Sequence, residues 1–208
     1  MRLVVKDIVV GYTRAILGPI SFTAEPGCCY AFMGPNGIGN TTLLKTIVGI
    51  LKPLRGTIKV DNNSISSTKR EMFYVPETAD IPLEIKIKDL MKFFFILYNI
   101  PRNRWSDIME SSLNLLELPS NEKIASLSHG QRRRLQLAIA YAIKAPITII
   151  DDPLVGLDEY CALEIFPKII KELKLSKCIV IITFRDRLNR NIMMQIDKVF
   201  DLRLFKPS

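Results

Sequence analysis

Three glycines, Gly34, Gly37 and Gly39, lead into Asn40, Thr41 and Thr42 along the run GPNGIGNTT. Glycines at this spacing leave a loop of bare backbone N–H groups, and a helix starting directly after it adds the positive end of its dipole. Such a loop surrounds phosphate oxygens, and a hydroxyl at the Thr41 position reaches a divalent cation bound with them. The run fits G-x-x-x-x-G-K-[ST] at every fixed place but one, because Asn40 stands where the lysine belongs. Taken alone, it also reads as a glycine-rich turn that holds no ligand. Far downstream, ITIIDD at 147–152 ends an apolar run on Asp151 and Asp152. A carboxylate at a strand end sits where open α/β sheets bind their ligands. Asp151 is therefore a candidate partner for Mg²⁺, directly or through water. The bland reading is an Asp that caps the next turn.

These residues need strands and helices to carry them. Residues 2–10, 20–24, 56–60 and 72–75 read as strands. Residues 28–33, 147–151 and 178–183 are short, continuously apolar runs, the pattern of strands buried on both faces. Helices are expected over 41–51, 87–99, 106–116, 130–144 and 158–173, with Pro146 stopping the fourth. Buried strands alternating with helices in the second half predict a parallel sheet covered by helices, while the helix-poor first half predicts an antiparallel one. Residues 82–127 read as helical throughout and are expected to form a lobe. Within them Leu90, Phe93, Phe94 and Leu97 make one apolar stripe, expected to face the core, and Met91, Phe95 and Tyr98 make a second. Arg132, Arg133 and Arg134 point three ways around a helix and are expected to be solvated or interfacial.

Composition removes several functions. The 208 residues are 48% hydrophobic and 24% charged, which is globular rather than disordered. One histidine excludes a two-histidine metal motif. The four cysteines lack C-x-x-C spacing, so free thiols of a reducing compartment are expected. The longest apolar run, 137–143, is far short of the roughly 20 residues of a membrane span. No secretory leader is recognisable in residues 1–12, where Lys6 and Asp7 interrupt the apolar run. A net charge of +8 favours an anionic partner. No interleaved basic and aromatic surface is visible, so nucleic acid is not expected, and the charge is assigned to nucleotide and a membrane surface.

Leu127, Ser128, His129, Gly130 and Gln131 then narrow the reading. This run resembles the L-S-G-G-Q signature of ATP-binding cassette (ABC) proteins, with His129 at the first glycine. It lies one helix and a short turn before the strand ending at Asp151, as in that family. The resemblance covers nearly the whole chain. It implies an α/β P-loop NTPase fold: a RecA-like core, an N-terminal antiparallel β subdomain and an α-helical subdomain. It implies that ATP with Mg²⁺ contacts Gly34, Asn36, Gly37, Gly39, Asn40, Thr41 and Thr42, with Tyr12 stacked on adenine. Thr41, Asp151 and Glu77, at the Q-loop position, would serve the metal. Asp158 falls in the D-loop and Phe184 at the switch histidine. Cassettes of this family pair head to tail, so Ser128, His129, Gly130 and Gln131 would cover ATP held by a second cassette, in a homo- or heterodimer. A lone cassette of this size resembles the ATP-binding subunit of a transporter, peripheral on the cytoplasmic face of the membrane and docked on transmembrane permease subunits. There the helical lobe helps to receive the transporter's coupling helix.

Four departures fall where the family handles the γ-phosphate or the attacking water. Asn40 removes a positive charge. Asp152 shortens the expected catalytic glutamate by one methylene, and a displacement of about 1 Å can cost roughly 10²-fold in rate. Phe184 cannot hydrogen-bond through its side chain. Glu77 adds negative charge where a glutamine is expected. The pattern resembles the degenerate half of an asymmetric pair, which holds ATP and lends its signature to a competent partner. The alternatives are a non-hydrolysing regulatory or interaction protein, or a soluble ABC protein acting on ribosomes or DNA. Asn40→Lys is expected to tighten ATP more than ADP, because a restored charge reaches the β- and γ-phosphates. Titration of both nucleotides checks this, and an unchanged ATP affinity would count against a working phosphate loop.

Overall fold

The computed structural model describes residues 1–78, 81–185 and 188–207. Two sheets carry the architecture. One is antiparallel, in the order β2-β1-β4-β5, from β1 (Leu3–Gly11), β2 (Ala15–Ala24), β4 (Arg55–Val60) and β5 (Asn63–Ser64). The other is parallel, in the order β6-β7-β8-β3-β9, from β3 (Cys29–Met33), β6 (Met72–Val75), β7 (Ile147–Ile150), β8 (Ile179–Phe184) and β9 (Lys198–Asp201). The antiparallel half is thus as expected, except that β3 and β6, early in the chain, join the parallel sheet.

Burial shows why. In β1 the inward residues Leu3 and Val5 are followed by Ile8 and Val10. The two-residue alternation slips once, where the ladder shifts register after Lys6 and Asp7 takes a positive φ of 50°. By contrast β3 and β8 have no polar face. Cys29 and Ala31 join one core cluster, with Val180, Ile182 and Phe184. Tyr30 and Phe32 join the other, with Ile179 and Ile181. Only a sheet covered on both sides buries both faces of a strand.

The helices are α1 (Asn40–Ile47), α2 (Ile87–Leu97), α3 (Trp105–Leu115), α4 (His129–Ile143), α5 (Phe166–Leu175, preceded by a π turn at Cys161–Ile165) and the short α6 (Arg190–Met193). Helix α4 is apolar on most sides, with Leu135, Leu137, Ile139 and Ile143 all buried, and it ends at Lys144 with φ 49°. Among the described residues no helix is long and apolar enough to cross a membrane.

Two expectations need correction. In α2 the buried stripe is Ile87, Leu90, Met91 and Phe95, while Phe93 and Leu97 are exposed. Lys88, Asp89 and Lys92 share one side of the helix and the apolar arc covers the rest, wider than the face that is buried, so tertiary partners choose which part of that arc faces inward. Phe95 packs on Trp105 with ring centroids 5.9 Å apart, and the Tyr98 hydroxyl donates to the Met72 carbonyl at 2.7 Å. Nor is Arg133 solvated, since it is 3% exposed.

The thiols of Cys28, Cys29, Cys161 and Cys178 are all unpaired. Burial pushes Cys161 and Cys178 up to about 11 and raises Cys29 further still. Thiolate is the reactive form. Native protein treated with a disulfide reagent should therefore label first at the half-buried Cys28, the other three reacting only on unfolding. Rapid native labelling at Cys161 or Cys178 would contradict this burial.

Candidate functional site

The carboxyl ends of β3, β6, β7 and β8 lie side by side because these strands are parallel neighbours. Each end delivers one part of a cleft of about 360 Å³, lined by Asn36, Gly37, Gly39, Asn40, Thr41, Thr42, Glu77, Asp151, Asp152, Ile16 and Arg185.

The loop after β3 begins where the Gly34 amide donates to the Phe184 carbonyl at 3.0 Å. It ends at Gly39, whose φ is 119°. A Cβ there would stand 2.8 Å from Ile16 Cγ2 and 3.0 Å from Leu17 Cδ1, so handedness and a crowded wall both require glycine. At Gly37 a Cβ would meet nothing within 4 Å, so the loop shows open backbone to the cleft. Asn40 Nδ2 donates back to the Gly34 carbonyl at 2.9 Å, and its Oδ1 is buried without a partner.

β7 delivers Asp151, which is 1% exposed. Its Oδ1 accepts from Thr183 Oγ1 at 2.7 Å and its Oδ2 from the Tyr74 hydroxyl at 3.2 Å. Burial, followed by this carboxylate, raises Tyr74 well above the ordinary phenol value, so the hydroxyl stays a donor. Asp152 follows with a positive φ of 42°, its amide donating to Thr183 Oγ1 at 3.1 Å. Burial pushes the Asp152 carboxyl up, against the pull of Arg185. Below the cleft, Arg133 of α4 donates to the carbonyls of Pro76 and Asp151 at 2.6 Å and of Asp152 at 3.0 Å. Burial lowers its pKa, and the carboxylates of Asp152, Asp151 and Glu77 oppose that.

The oxygen set of Thr41, Asp151 and Glu77 suits a hard divalent ion held mainly by phosphates. With the open backbone at Gly37 it fits a nucleotide carrying Mg²⁺. Tyr12, 61% exposed, lines a neighbouring cavity with Gly37 and Ile38.

One placement differs from expectation. Phe184 does not reach the cleft. Side chains alternate along β8, so Phe184 shares the inward face of Val180 and Ile182 and packs edge-on to Phe166. The next residue, Arg185, lines the cleft instead and pairs with both Glu77 and Asp152. Sequence reasoning missed it: period-two counting along 179–185 puts Phe184 and Arg185 on opposite faces, but with both faces of β8 buried it does not say which side meets the cleft.

The signature residues Ser128, His129, Gly130 and Gln131, with Asp158, lie outside the cleft lining. They form a second structure. Ser128 Oγ accepts from the Gln131 amide at 3.2 Å, and Gln131 Oε1 accepts from the Ser128 amide at 2.9 Å, a reciprocal cap on α4. The Ser128 proton stays free to donate outward. A Cβ on Gly130 would stand 2.8 Å from the Gly156 carbonyl, so the residues before Asp158 approach the start of α4 closely. Arg134 pairs with Asp158 and holds its carboxyl below the usual range.

A glycine loop between strand and helix, a strand-end aspartate and a capped second helix outside the cleft define a P-loop nucleotide-binding cassette. The family model described as ABC transporter matches residues 17–155, and the chain belongs to that family, as the ATP-binding subunit of a transporter. It is 35% identical over 178 residues to the cytochrome c biogenesis ATP-binding export protein CcmA of Reclinomonas americana, covering 83% of this chain and 80% of that one. It is 26% identical to the ABC-type transporter ATP-binding protein EcsA of Bacillus subtilis, over 75% of this chain and 66% of that one. The chain spans half or less of some other relatives, such as 21% of ABC transporter G family member 23 of Dictyostelium discoideum. A putative ABC transporter ATP-binding protein from Pyrococcus furiosus superposes with a TM-score of 0.90 at 36% identity, covering 100% of both chains. The family binds ATP with Mg²⁺.

Replacing Arg133 by Leu would strip donors from the buried carbonyls of Asp151 and Asp152 and the part-buried carbonyl of Pro76 at once. The expected loss is roughly 3 kcal/mol or more of folding stability, read from urea denaturation. A loss below about 1 kcal/mol would mean that water replaces the guanidinium.

Proposed function

We propose that this cassette binds ATP with Mg²⁺ in its own cleft, hydrolyses it poorly, and serves a competent partner cassette through its signature helix. Residues 1–208 act as one nucleotide-binding unit, with residues 82–127 as its helical lobe. The carrying observation is the contrast between the two structures just described. The cleft keeps its binding parts but has Asn40 turned onto Gly34 and Asp152 engaged by Arg185. The start of α4 keeps its reciprocal cap and its free hydroxyl.

Each residue then has a defined part. The backbone at 36–41 holds the phosphates, and Tyr12 stacks on the base. The Thr41 hydroxyl and Asp151 serve the metal side, with Glu77 beside them. Bound Mg²⁺ would offset charge on the β- and γ-phosphates. An Asp152 tied to an arginine is a poor base for water. In the partner's site, Ser128 and the amides from Gly130 onward are preorganised donors for charge developing on the γ-phosphate. Asp158, joined to Arg134, links the two halves of a closed pair.

The partners are a second cassette, of the same or another sequence, and transmembrane permease subunits on the cytoplasmic face of the membrane. An apolar groove of about 540 Å³ lined by Phe73, Ile81, Pro82, Ile85, Phe93 and Phe94 suits a helix from such a subunit.

The test is ATP hydrolysis by the assembly co-purified with its membrane partners. Ser128→Arg should abolish turnover, because a bulky side chain blocks closure over the partner's ATP, whereas Asp152→Asn should barely change it. The reverse outcome would make this chain's own cleft the working one.

A further inference from the structure

We infer that Arg185 is the cation that receives the terminal phosphate of the bound nucleotide, in place of the lysine absent at position 40. The inference rests on the reading that this cleft binds ATP, and it gives the cleft a phosphate-binding residue that the motif does not supply.

The first argument is charge. The cleft lining carries three carboxylates, Glu77, Asp151 and Asp152. Arg185 is the only lysine or arginine in that lining among the described residues. A polyanion entering a cleft with three carboxylates and no lysine is repelled unless a fixed cation offsets them. Arg133 does not serve. Its guanidinium lies under the floor, committed to the carbonyls of Pro76, Asp151 and Asp152 and to Gln136 Oε1.

The second argument is position. The phosphate loop starts with the Gly34 amide bonded to the Phe184 carbonyl, so the residue after Phe184 leaves β8 beside the loop. Strand parity sends Phe184 into the core, and Arg185 meets the cleft. The third argument is the side chain itself. Its Nη2 pairs with Glu77 Oε1 and its Nε with Asp152 Oδ2, and it remains 30% exposed. A guanidinium has five N–H donors in a planar fork, so two carboxylate partners leave donors for a phosphate oxygen. The two carboxylates hold the fork across the cleft, which lowers the entropy lost when phosphate arrives. An alternative is that Arg185 only neutralises Glu77 and Asp152 and must be pushed aside by ligand. The two readings predict opposite signs for its removal.

The experiment is calorimetric titration of the full chain with ATP and with ADP, each with and without Mg²⁺. The proteins are the wild type, Arg185→Gln, Arg185→Lys, and Arg185→Gln combined with Asn40→Lys. A charge-assisted contact to the terminal phosphate predicts that Arg185→Gln weakens ATP by roughly 10-fold or more and ADP by less than about 3-fold. Arg185→Lys should keep part of the preference for ATP, and Asn40→Lys should restore most of what Arg185→Gln loses. The ATP loss should persist without Mg²⁺, because the contact is made by the protein. Unchanged or tighter ATP binding by Arg185→Gln overturns the inference, as does an equal loss for ADP, which would mean a distorted cleft. Should Arg185→Gln fail to fold, a partial loss of the ATP preference in the charge-keeping Arg185→Lys with unchanged ADP affinity supports the inference, and an unchanged preference overturns it. A wild type that binds no ATP overturns the nucleotide reading itself, and this inference with it, whereas wild-type binding that Arg185→Gln leaves intact overturns the inference alone.

Discussion

The guanidinium of Arg133 sits where three parts of the chain meet, and the site depends on it. It projects from α4, the helix that begins with the signature, and holds the main chain at Pro76, Asp151 and Asp152. Glu77 follows Pro76 directly, so one side chain fixes the backbone beneath all three cleft carboxylates. A buried cation is costly to desolvate and is tolerated only when its donors are satisfied and negative charge lies near. Here carbonyl oxygens and Gln136 Oε1 accept from both terminal nitrogens, only Nε lacks a partner, and Asp151, Asp152 and Glu77 supply the field. The same contact ties the helix that would face a partner's nucleotide to the strand ends that face the chain's own. Any shift of α4 is therefore felt at β6 and β7.

The parallel sheet does the rest. With β6, β7, β8 and β3 side by side and pointing one way, their carboxyl ends form one edge. Residues distant in sequence become neighbours there without any local signal between them. The edge also concentrates like charge. Glu77, Asp151 and Asp152 share one small cleft, and the structure answers with Tyr74 and Thr183 on Asp151 and Arg185 on the other two. These polar partners oppose the cost of burying the carboxylates, although burial still leaves the Asp152 carboxyl raised.

The departures from the family pattern thus have different physical characters. Asn40 is a local loss, one charge removed from a loop whose backbone path is kept by Gly37 and Gly39 at positive φ. Asp152 and Glu77 are held together by one arginine. Phe184 is not a failed polar residue in a cleft. It is a core residue filling space beside Phe166, and the charged side chain one position along the chain lines the cleft.

Much of this was legible in the sequence because it is local. Glycine spacing marks a loop, continuous apolar runs mark strands buried on both faces, and a serine three residues before a glutamine marks a helix start. Those signals gave the fold class, the loop at 34–41, the strand ending at Asp151 and the cap at Ser128. Tertiary structure alone decided the rest. Which part of α2's apolar arc faces inward depends on Trp105 and the Met72 carbonyl, because that arc is wider than the face the core can cover. Whether Arg133 is solvated or buried depends on carbonyls up to 57 residues away. That Arg185 rather than Phe184 meets the cleft depends on the parity of β8 against two cores, and no spacing within 179–185 states which core lies on which side.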